Sequence, residues 1–205
     1  MSSQAPVFRY DINGLRAYAV LAVLLFHFNL FGLNAGFIGV DLFFVISGYL
    51  MTSIVVRGLE KNNFSFGNFY LSRLRRIVPA LLVLISVFTI FAWFYLTTPA
   101  LKKFSKEAFS AALFFSNISY GFEGSYFSQP FGKWFLHTWT LGLEMQFYLL
   151  YPVFLALIWR VFSSEITRIF AVLTLFIGSF ILCLIVASWK PTIAFYLLPT
   201  RAWEF

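Results

Sequence analysis

Charged residues are scarce in this sequence. Asp, Glu, Lys and Arg make up 11% of its 205 residues, whereas hydrophobic residues make up 60%. A soluble globular domain averages about a quarter charged residues, so the composition excludes that class. The 29 Phe, 10 Tyr and 6 Trp residues are more than a small soluble core holds. The chain is therefore predicted to be a polytopic membrane protein.

Sequence patterns that bind metals or phosphates are missing. The sequence has one cysteine, Cys183, so no disulfide can form within these residues. It has no Cys/His cluster with metal-ligand spacing, no glycine-rich phosphate loop and no GxSxG motif, and we expect no bound metal. The net charge of +7 does not predict nucleic-acid binding, because the basic residues flank apolar runs, where they set membrane orientation.

Apolar runs predict five membrane-spanning helices. Each has close to the 20 residues that cross a bilayer. Pro79 is predicted to open the third span, because the N–H that proline lacks would be unpaired at a helix start. Asn34–Gly36 is predicted to be a tight turn and Glu60–Arg76 a polar loop. The predicted spans are Gly14–Leu33, Phe37–Val56, Pro79–Thr97, Leu141–Trp159 and Ile169–Ser188.

A shorter apolar segment, Ala108–Ser119, has about a dozen residues, which favours an interfacial or re-entrant helix over a span. Basic residues concentrate before the first span and between the second and third, which predicts that the N-terminus is cytoplasmic. Tyr120–Trp134 is then an external loop. If Ala108–Ser119 crossed the membrane instead, Arg160 and Arg168 would lie outside, against the same rule. The expected fold is all-α.

The first predicted span carries two ionisable residues, Arg16 and His27. Eleven residues separate them, which puts both on one helix face, roughly 16 Å apart along the axis. An ionisable residue inside a membrane helix is costly and is a functional candidate by default. The alternative is a histidine that only hydrogen-bonds a neighbouring helix.

Two acidic residues stand out in other spans. Asp41 lies near the outer end of the second span, and an Asp at a helix centre costs about 2.5–3.5 kcal/mol, so we expect Asp41 at an interface, in a wet cavity or paired. If the fourth helix reaches back to His137, then His137, Glu144, Tyr148 and Tyr151 fall on one helix face. That polar stripe predicts a functional cavity, whereas Asp41 is equally well explained as a helix-packing contact.

Three arginines, Arg73, Arg75 and Arg76, precede Pro79 on the predicted cytoplasmic side. Such clusters are often only topology signals. Arginines at the mouth of a cavity also bind phosphates in a bidentate manner. The residues alone leave both interpretations open.

Taken together, four stretches resemble the acyltransferase-3 family of bacterial integral membrane acyltransferases, of the O-antigen and exopolysaccharide acetylase type. They occur in family order, and RAWEF matches the start of a further segment. Where the family usually has a second acid after Glu144, this chain has Met145. The stretches are YDINGLRAYAVLAVLLFHF, GFIGVDLFFVISGYLMT, FYLSRLRRIVPAL and LHTWTLGLEMQFYLLYP.

The resemblance implies transfer of an acetyl or other acyl group from acyl-CoA, by default acetyl-CoA, to a hydroxyl of a cell-surface polysaccharide or its lipid-linked precursor. It implies a multi-pass protein of the bacterial inner membrane. Because the family has about twice as many spans, residues 1–205 are expected to be the N-terminal portion of one acyltransferase domain, truncated after Phe205. A missing C-terminal half or partner subunit would complete it.

The resemblance also implies roles for individual residues. His27 matches the catalytic histidine, and Glu144 or Asp41 is expected to orient its imidazole or the sugar. Arg16, Arg73 and Arg76 are expected to hold the donor. We assign His137, Tyr148 and Trp139 to acceptor binding.

Two other functions remain compatible with the sequence. Intramembrane His, Asp and Glu residues also serve proton relays, which is consistent with a transporter of lipid-linked or acylated sugars. The chain is also compatible with an inactive fragment or an assembly subunit.

Overall fold

The computed structural model describes residues 9–30, 35–123 and 132–205. Within these ranges it is helical, without strands, which confirms the all-α class. A 3-10 turn, Ala202–Glu204, follows the last helix. The helices are α1 Tyr10–His27, α2 Ile38–Glu60, α3 Phe66–Tyr95, α4 Thr98–Ala112, α5 Ser116–Glu123, α6 Thr138–Val161, α7 Glu165–Trp189, α8 Pro191–Tyr196 and α9 Leu198–Arg201.

Four of these helices, α2, α3, α6 and α7, are long and apolar enough to cross a membrane. They correspond to four of the five predicted spans and support a polytopic membrane protein. The first predicted span corresponds to α1, which is outside that group of four. This helix has 18 residues and begins at Tyr10, so it includes the polar Asp11 as well as Arg16. The predicted end of the span at Leu33 lies outside the described residues, as does Asn34.

The prediction that Pro79 opens a helix is wrong. Helix α3 begins 13 residues earlier, at Phe66, where the Ser65 hydroxyl accepts a hydrogen bond from the backbone N–H of Asn68. Pro79 lies inside this 30-residue helix, a position that membrane helices tolerate. Most of the predicted polar loop Glu60–Arg76 is therefore helical. As a consequence, Arg73 and Arg76 lie one turn apart on α3.

The prediction of one helix over Ala108–Ser119 is also wrong, because two helices share this segment. The chain ends α4 at Ala112 and starts α5 at Ser116. Between them Phe114 has a φ of +60°, a left-handed conformation that stops a helix. Helix α5 also occupies Tyr120–Glu123, the start of the predicted external loop. Residues 124–131 of that loop lie outside the described residues.

The chain divides into two compact units, one formed by Met1–Leu50 with Glu204–Phe205 and the other by Met51–Trp203. In the first unit α1 lies close to the start of α2. A Cβ added to Gly39 would be 2.5 Å from the carbonyl oxygen of Ala19 and 2.8 Å from a methyl carbon of Val23. Only glycine permits this approach of two backbones.

In the second unit, polar groups join the helices. The Thr52 and Tyr151 hydroxyls are 2.8 Å apart, which joins the later part of α2 to α6. Asn117 of α5 and Gln146 of α6 form a reciprocal amide pair, with N···O distances of 3.2 and 2.9 Å. The Asn117 amide also donates to the Tyr196 carbonyl oxygen, at 3.1 Å. The Asn117 bonds hold α5 against α6 and α8.

Candidate active site

His27 is the last residue of α1, and its side chain is exposed. Its ring nitrogen Nδ1 lies 2.7 Å from the carbonyl oxygen of Val23, one turn earlier. A carbonyl oxygen only accepts hydrogen bonds, so Nδ1 carries the proton. In the neutral ring the lone pair then belongs to Nε2. This tautomer is the one in which Nε2 can accept a proton or act as a nucleophile.

Arg16 lies on the same helix, three turns before His27. The residue is half-buried. Its Nε atom is fully buried and has no hydrogen-bond partner within the described ranges. A buried donor without a partner costs free energy. A ligand oxygen close to this guanidinium would remove that cost.

Asp41 lies in the first turn of α2 and is half-buried. The helix macrodipole favours a negative charge at this end of a helix. This location explains how α2 accommodates a carboxylate next to the apolar run that follows.

In the second unit, Glu144 and Tyr148 form a short hydrogen bond. The Tyr148 hydroxyl donates to Oε1 of Glu144, at 2.5 Å, across one turn of α6. Tyr148 is 6% exposed. The predicted stripe therefore contains a hydrogen-bonded pair, in which a buried phenol orients the carboxylate.

Arg73 of α3 lies beside this pair. Its guanidinium carbon is 5.9 Å from the centre of the Tyr148 ring and 5.4 Å from that of Phe69, both cation–π distances. The Tyr70 hydroxyl donates to the Leu149 carbonyl oxygen, at 3.0 Å, and so fixes α3 against α6. The structure thus brings together Arg73, Tyr148 and Glu144. Arg76 is exposed, one turn further along α3.

His137 and Trp139 flank the start of α6. His137 is the residue just before the helix, with helical dihedral angles of −68° and −11°, and its side chain is exposed. The Trp139 ring is buried against Phe195 and Tyr196, with ring centres 4.8 and 5.4 Å away. Trp139 therefore packs α6 against α8, whereas His137 is exposed.

Three buried charged residues of the described part of the chain were not among the sequence candidates. Glu107 of α4 is 5% exposed, and Arg201 at the end of α9 and Glu204 of the following 3-10 turn are each 8% exposed. The guanidinium carbon of Arg201 lies beside the packed rings of Trp139 and Phe195, 5.6 and 5.1 Å from their centres. The sequence offers one weak signal for each of Glu107 and Arg201. Glu107 is the one acid in α4, which also carries three lysines, and Arg201 is the first residue of RAWEF. In the part of the chain that the structure describes, no group of three or more His, Cys, Asp or Glu residues could hold a metal ion.

Comparison with known proteins gives this geometry a context. The model of a family described as "Acyltransferase domain" matches residues 9–200. The chain is 35% identical over 199 residues to "Peptidoglycan O-acetyltransferase OatA" of Listeria monocytogenes, an alignment that covers 95% of this chain and 32% of that protein. It is 36% identical over 151 residues to "O-acetyltransferase OatA" of Staphylococcus aureus, covering 73% of this chain and 25% of that protein.

The chain matches only part of each relative. It spans 32% of the length of the Listeria protein and 25% of the length of the Staphylococcus protein. No solved structure matches the chain.

Proposed function

Because the chain belongs to the acyltransferase-3 family, we propose that it is the N-terminal part of a membrane O-acyltransferase that moves an acetyl group from acetyl-CoA to a hydroxyl of a cell-wall glycan. The observation that carries the proposal is the Nδ1 hydrogen bond of His27, which leaves the lone pair of the neutral ring on Nε2. A histidine in this tautomer can act through Nε2 as a general base or as a nucleophile.

The donor is proposed to bind through Arg16, Arg73 and Arg76. CoA carries several phosphate charges, and guanidinium groups pair with phosphate in a bidentate manner. The buried and unpartnered Nε of Arg16 supports a ligand oxygen at that point. The distance from Arg16 to His27, roughly 16 Å along the helix, is comparable with the length of the pantetheine arm. The thioester would then lie near the imidazole.

In the proposed reaction, Nε2 of His27 removes the proton from the acceptor hydroxyl as its oxygen attacks the thioester carbonyl carbon. A C–O bond forms and the C–S bond breaks. The proton passes from the imidazolium to the departing thiolate, so the products are the acetyl ester and CoA. Attack by Nε2 itself, through a transient acyl-histidine, uses the same lone pair and remains the alternative order of steps.

Glu144 and Asp41 are proposed to orient the acceptor or the imidazole. The hydrogen bond from Tyr148 holds one oxygen of Glu144. His137, Tyr148 and Trp139 are proposed to form the acceptor side. The exposed His137 is the member best suited to direct contact.

The acceptor is proposed to be peptidoglycan, and the membrane the bacterial plasma membrane. The Listeria relative is described as acting on peptidoglycan, which favours a cell-wall glycan over the O-antigen or exopolysaccharide suggested by the sequence resemblance. The remaining two thirds of such a protein would supply the rest of the site.

The test is an assay of CoA release. Membranes that contain the complete protein are given acetyl-CoA with and without peptidoglycan, and free thiol and glycan ester are measured together. We expect both products in equal amounts and only when glycan is present. A transporter that performs no chemistry would release neither product, and that result would refute the proposal.

The same assay tests the donor site. We expect R73A/R76A to raise the apparent KM for acetyl-CoA about tenfold or more, because each charge-assisted hydrogen bond contributes about 1.5–3 kcal/mol. R75A is the matched control, since it removes the same charge from the same turn of α3 outside the proposed pair. An equal effect of R75A, or no effect of the double variant, would contradict donor binding by Arg73 and Arg76 and leave the cluster as a topology signal.

A further inference from the structure

Glu107 joins α4 to the turn that precedes α6. Its Oε2 accepts hydrogen bonds from the backbone N–H groups of Trp134 and Phe135, at 2.9 and 3.5 Å. The Tyr120 hydroxyl of α5 donates to the same oxygen, at 3.4 Å. One buried carboxylate oxygen therefore holds three separate segments of the second unit.

The turn that Glu107 holds leads directly into α6. The Phe135 carbonyl oxygen accepts from the backbone N–H and the hydroxyl of Thr138, at 3.0 and 2.7 Å. Thr138 is the first residue of α6. The bonds thus run without interruption from Glu107 to the helix that carries Glu144, past His137.

Aromatic packing surrounds this anchor. The Phe135 ring lies 5.7 Å from that of Phe88 on α3 and 5.3 Å from that of Phe104 on α4. The Trp134 ring lies 6.0 and 6.1 Å from the same two rings. Rings of this kind hold the turn against α3 and α4 without specifying its position along the helix axes. A hydrogen bond to a fixed carboxylate supplies that specification.

The hydrogen bonds that Glu107 accepts do not require its carboxyl to be ionised. Burial raises the pKa of its carboxyl, although the N–H groups of Phe135 and Trp134 and the charge of Lys103 act in the opposite direction. Its Oε1 is buried and has no partner within the described residues. Acceptance of hydrogen bonds by Oε2 needs only a carbonyl-type oxygen, which a protonated carboxyl or an amide also provides.

We propose that Glu107 is a positioning residue for the acceptor side of the site: by accepting from the Trp134 and Phe135 N–H groups, it fixes the turn that sets His137 and the first turn of α6. This role rests on the proposed function for its effect on activity, but its effect on the turn does not. Glu107 itself touches neither donor nor acceptor.

The experiment compares E107A and E107Q in the complete protein, with E123Q as the matched control. Glu123 is an acid of α5 that pairs with Lys106 at 2.6 Å with both side chains partly exposed. Amide hydrogen exchange is measured for residues 132–137, together with the KM for glycan and for acetyl-CoA.

We expect exchange at Trp134 and Phe135 to be about tenfold faster in E107A, because loss of one hydrogen bond is equivalent to about that factor. E107Q and E123Q should resemble the wild type. In the assay, E107A should raise the KM for glycan while the KM for acetyl-CoA stays within about twofold, and E107Q should restore it.

The outcomes separate the two proposals. Unchanged exchange in E107A, or faster exchange in E107Q as well, would overturn the anchoring role whatever the activity. Faster exchange in E107A with an unchanged KM for glycan would overturn the acceptor-side role. If the wild type transfers no acetyl group, the proposed function fails, while the exchange measurement still decides whether Glu107 fixes the turn.

Discussion

At the scale of single residues, the period of the helix determines which side chains of the candidate site meet. Glu144 and Tyr148 are four residues apart, so the 3.6-residue period brings them together, and the structure adds a 2.5 Å hydrogen bond. Glu107 has no such local signal. Its partners are the Tyr120 hydroxyl, 13 residues further along the chain, and two backbone N–H groups 27 and 28 residues further along. A backbone N–H group has no sequence pattern that would identify it as a partner.

Asn117 illustrates the same limit. It begins a formal Asn-Ile-Ser glycosylation triplet, but the side chain is fully buried and bonded to Gln146 and Tyr196. A buried amide is closed to modification, so the triplet is a chance match.

The hydroxyl and the ring of Tyr148 have separable effects. Y148F keeps the ring beside Arg73 and removes the donor to Glu144, so we expect kcat to fall about tenfold with little change in the KM for acetyl-CoA. Y148L removes the ring as well and should also raise that KM. Steady-state kinetics on both variants checks this, with Y95F as control because Tyr95 is 72% exposed. Equal kinetics for Y148F and the wild type would contradict the orienting role.

Glu107 makes stability depend on pH in a defined direction. Burial raises the pKa of its carboxyl in the folded state, so the folded protein holds this proton more tightly than the unfolded chain does. The stabilising contribution is complete below the unfolded value, about 4.3 for a glutamate, and is lost as pH rises through the folded value.

E107Q removes this titration. We therefore expect the Tm of the wild type, measured in detergent, to fall relative to that of E107Q as the pH rises from about 4 to 8. A difference in Tm that stays constant with pH, or that changes in the opposite direction, would contradict the raised pKa.

At the scale of helices, long apolar runs were sufficient for four spans, because a window of 18 or more apolar residues has few alternatives in a membrane. Two boundaries could not be predicted in this way. The cap at Ser65 and the tolerance of membrane helices for Pro79 moved the start of α3. The left-handed Phe114 divided an apolar segment that looked continuous. The Ser65 cap is a local contact that hydropathy does not report, whereas the Phe114 carbonyl oxygen accepts from the distant Gln146 amide, at 3.1 Å.

The approach of α1 to α2 depends on Gly39. In G39A the new methyl group would meet the Ala19 carbonyl oxygen and Val23, at 2.5 and 2.8 Å, and we expect a loss of about 1–3 kcal/mol in stability. G14A is the matched control, because no atom lies within 4 Å of its added Cβ. Alanine there should be neutral or stabilising by up to about 1 kcal/mol.

Thermal unfolding of the two glycine variants in detergent checks this expectation. A Tm for G39A equal to that of G14A would mean that the two helices separate without cost, and it would remove the structural basis for fixing His27 relative to α2.

At the scale of the whole molecule, the long apolar helices differ in how much of their surface the chain itself buries. Only 6% of the apolar window of α7 and 11% of that of α3 are buried within the chain, against 39% for α2 and α6. In a membrane, lipid or further helices would cover the exposed faces. Composition predicted the membrane class, but a sequence of this kind carries no pattern that reports which faces meet lipid.

The candidate site was predictable only in part, because a sequence does not report which side chains of different helices meet. His27, Arg16 and Asp41 belong to the first unit, and Glu144, Tyr148 and Arg73 to the second. Family resemblance selected these residues, and helix periodicity grouped those on one helix. The pairing of Arg73 with Tyr148 across two helices required the structure.

The most direct test of the central claim is transfer of a labelled acetyl group from acetyl-CoA to peptidoglycan by membranes that contain the complete protein, compared with H27A at equal protein level. Loss of a general base lowers the rate about 10²–10⁴-fold, and loss of a nucleophile abolishes transfer. Y18F, which alters an exposed residue of the same helix, should retain the wild-type rate. We predict that H27A transfers at most about 1% of the wild-type label, whereas transfer at the wild-type rate would contradict the assignment of His27 as the catalytic residue.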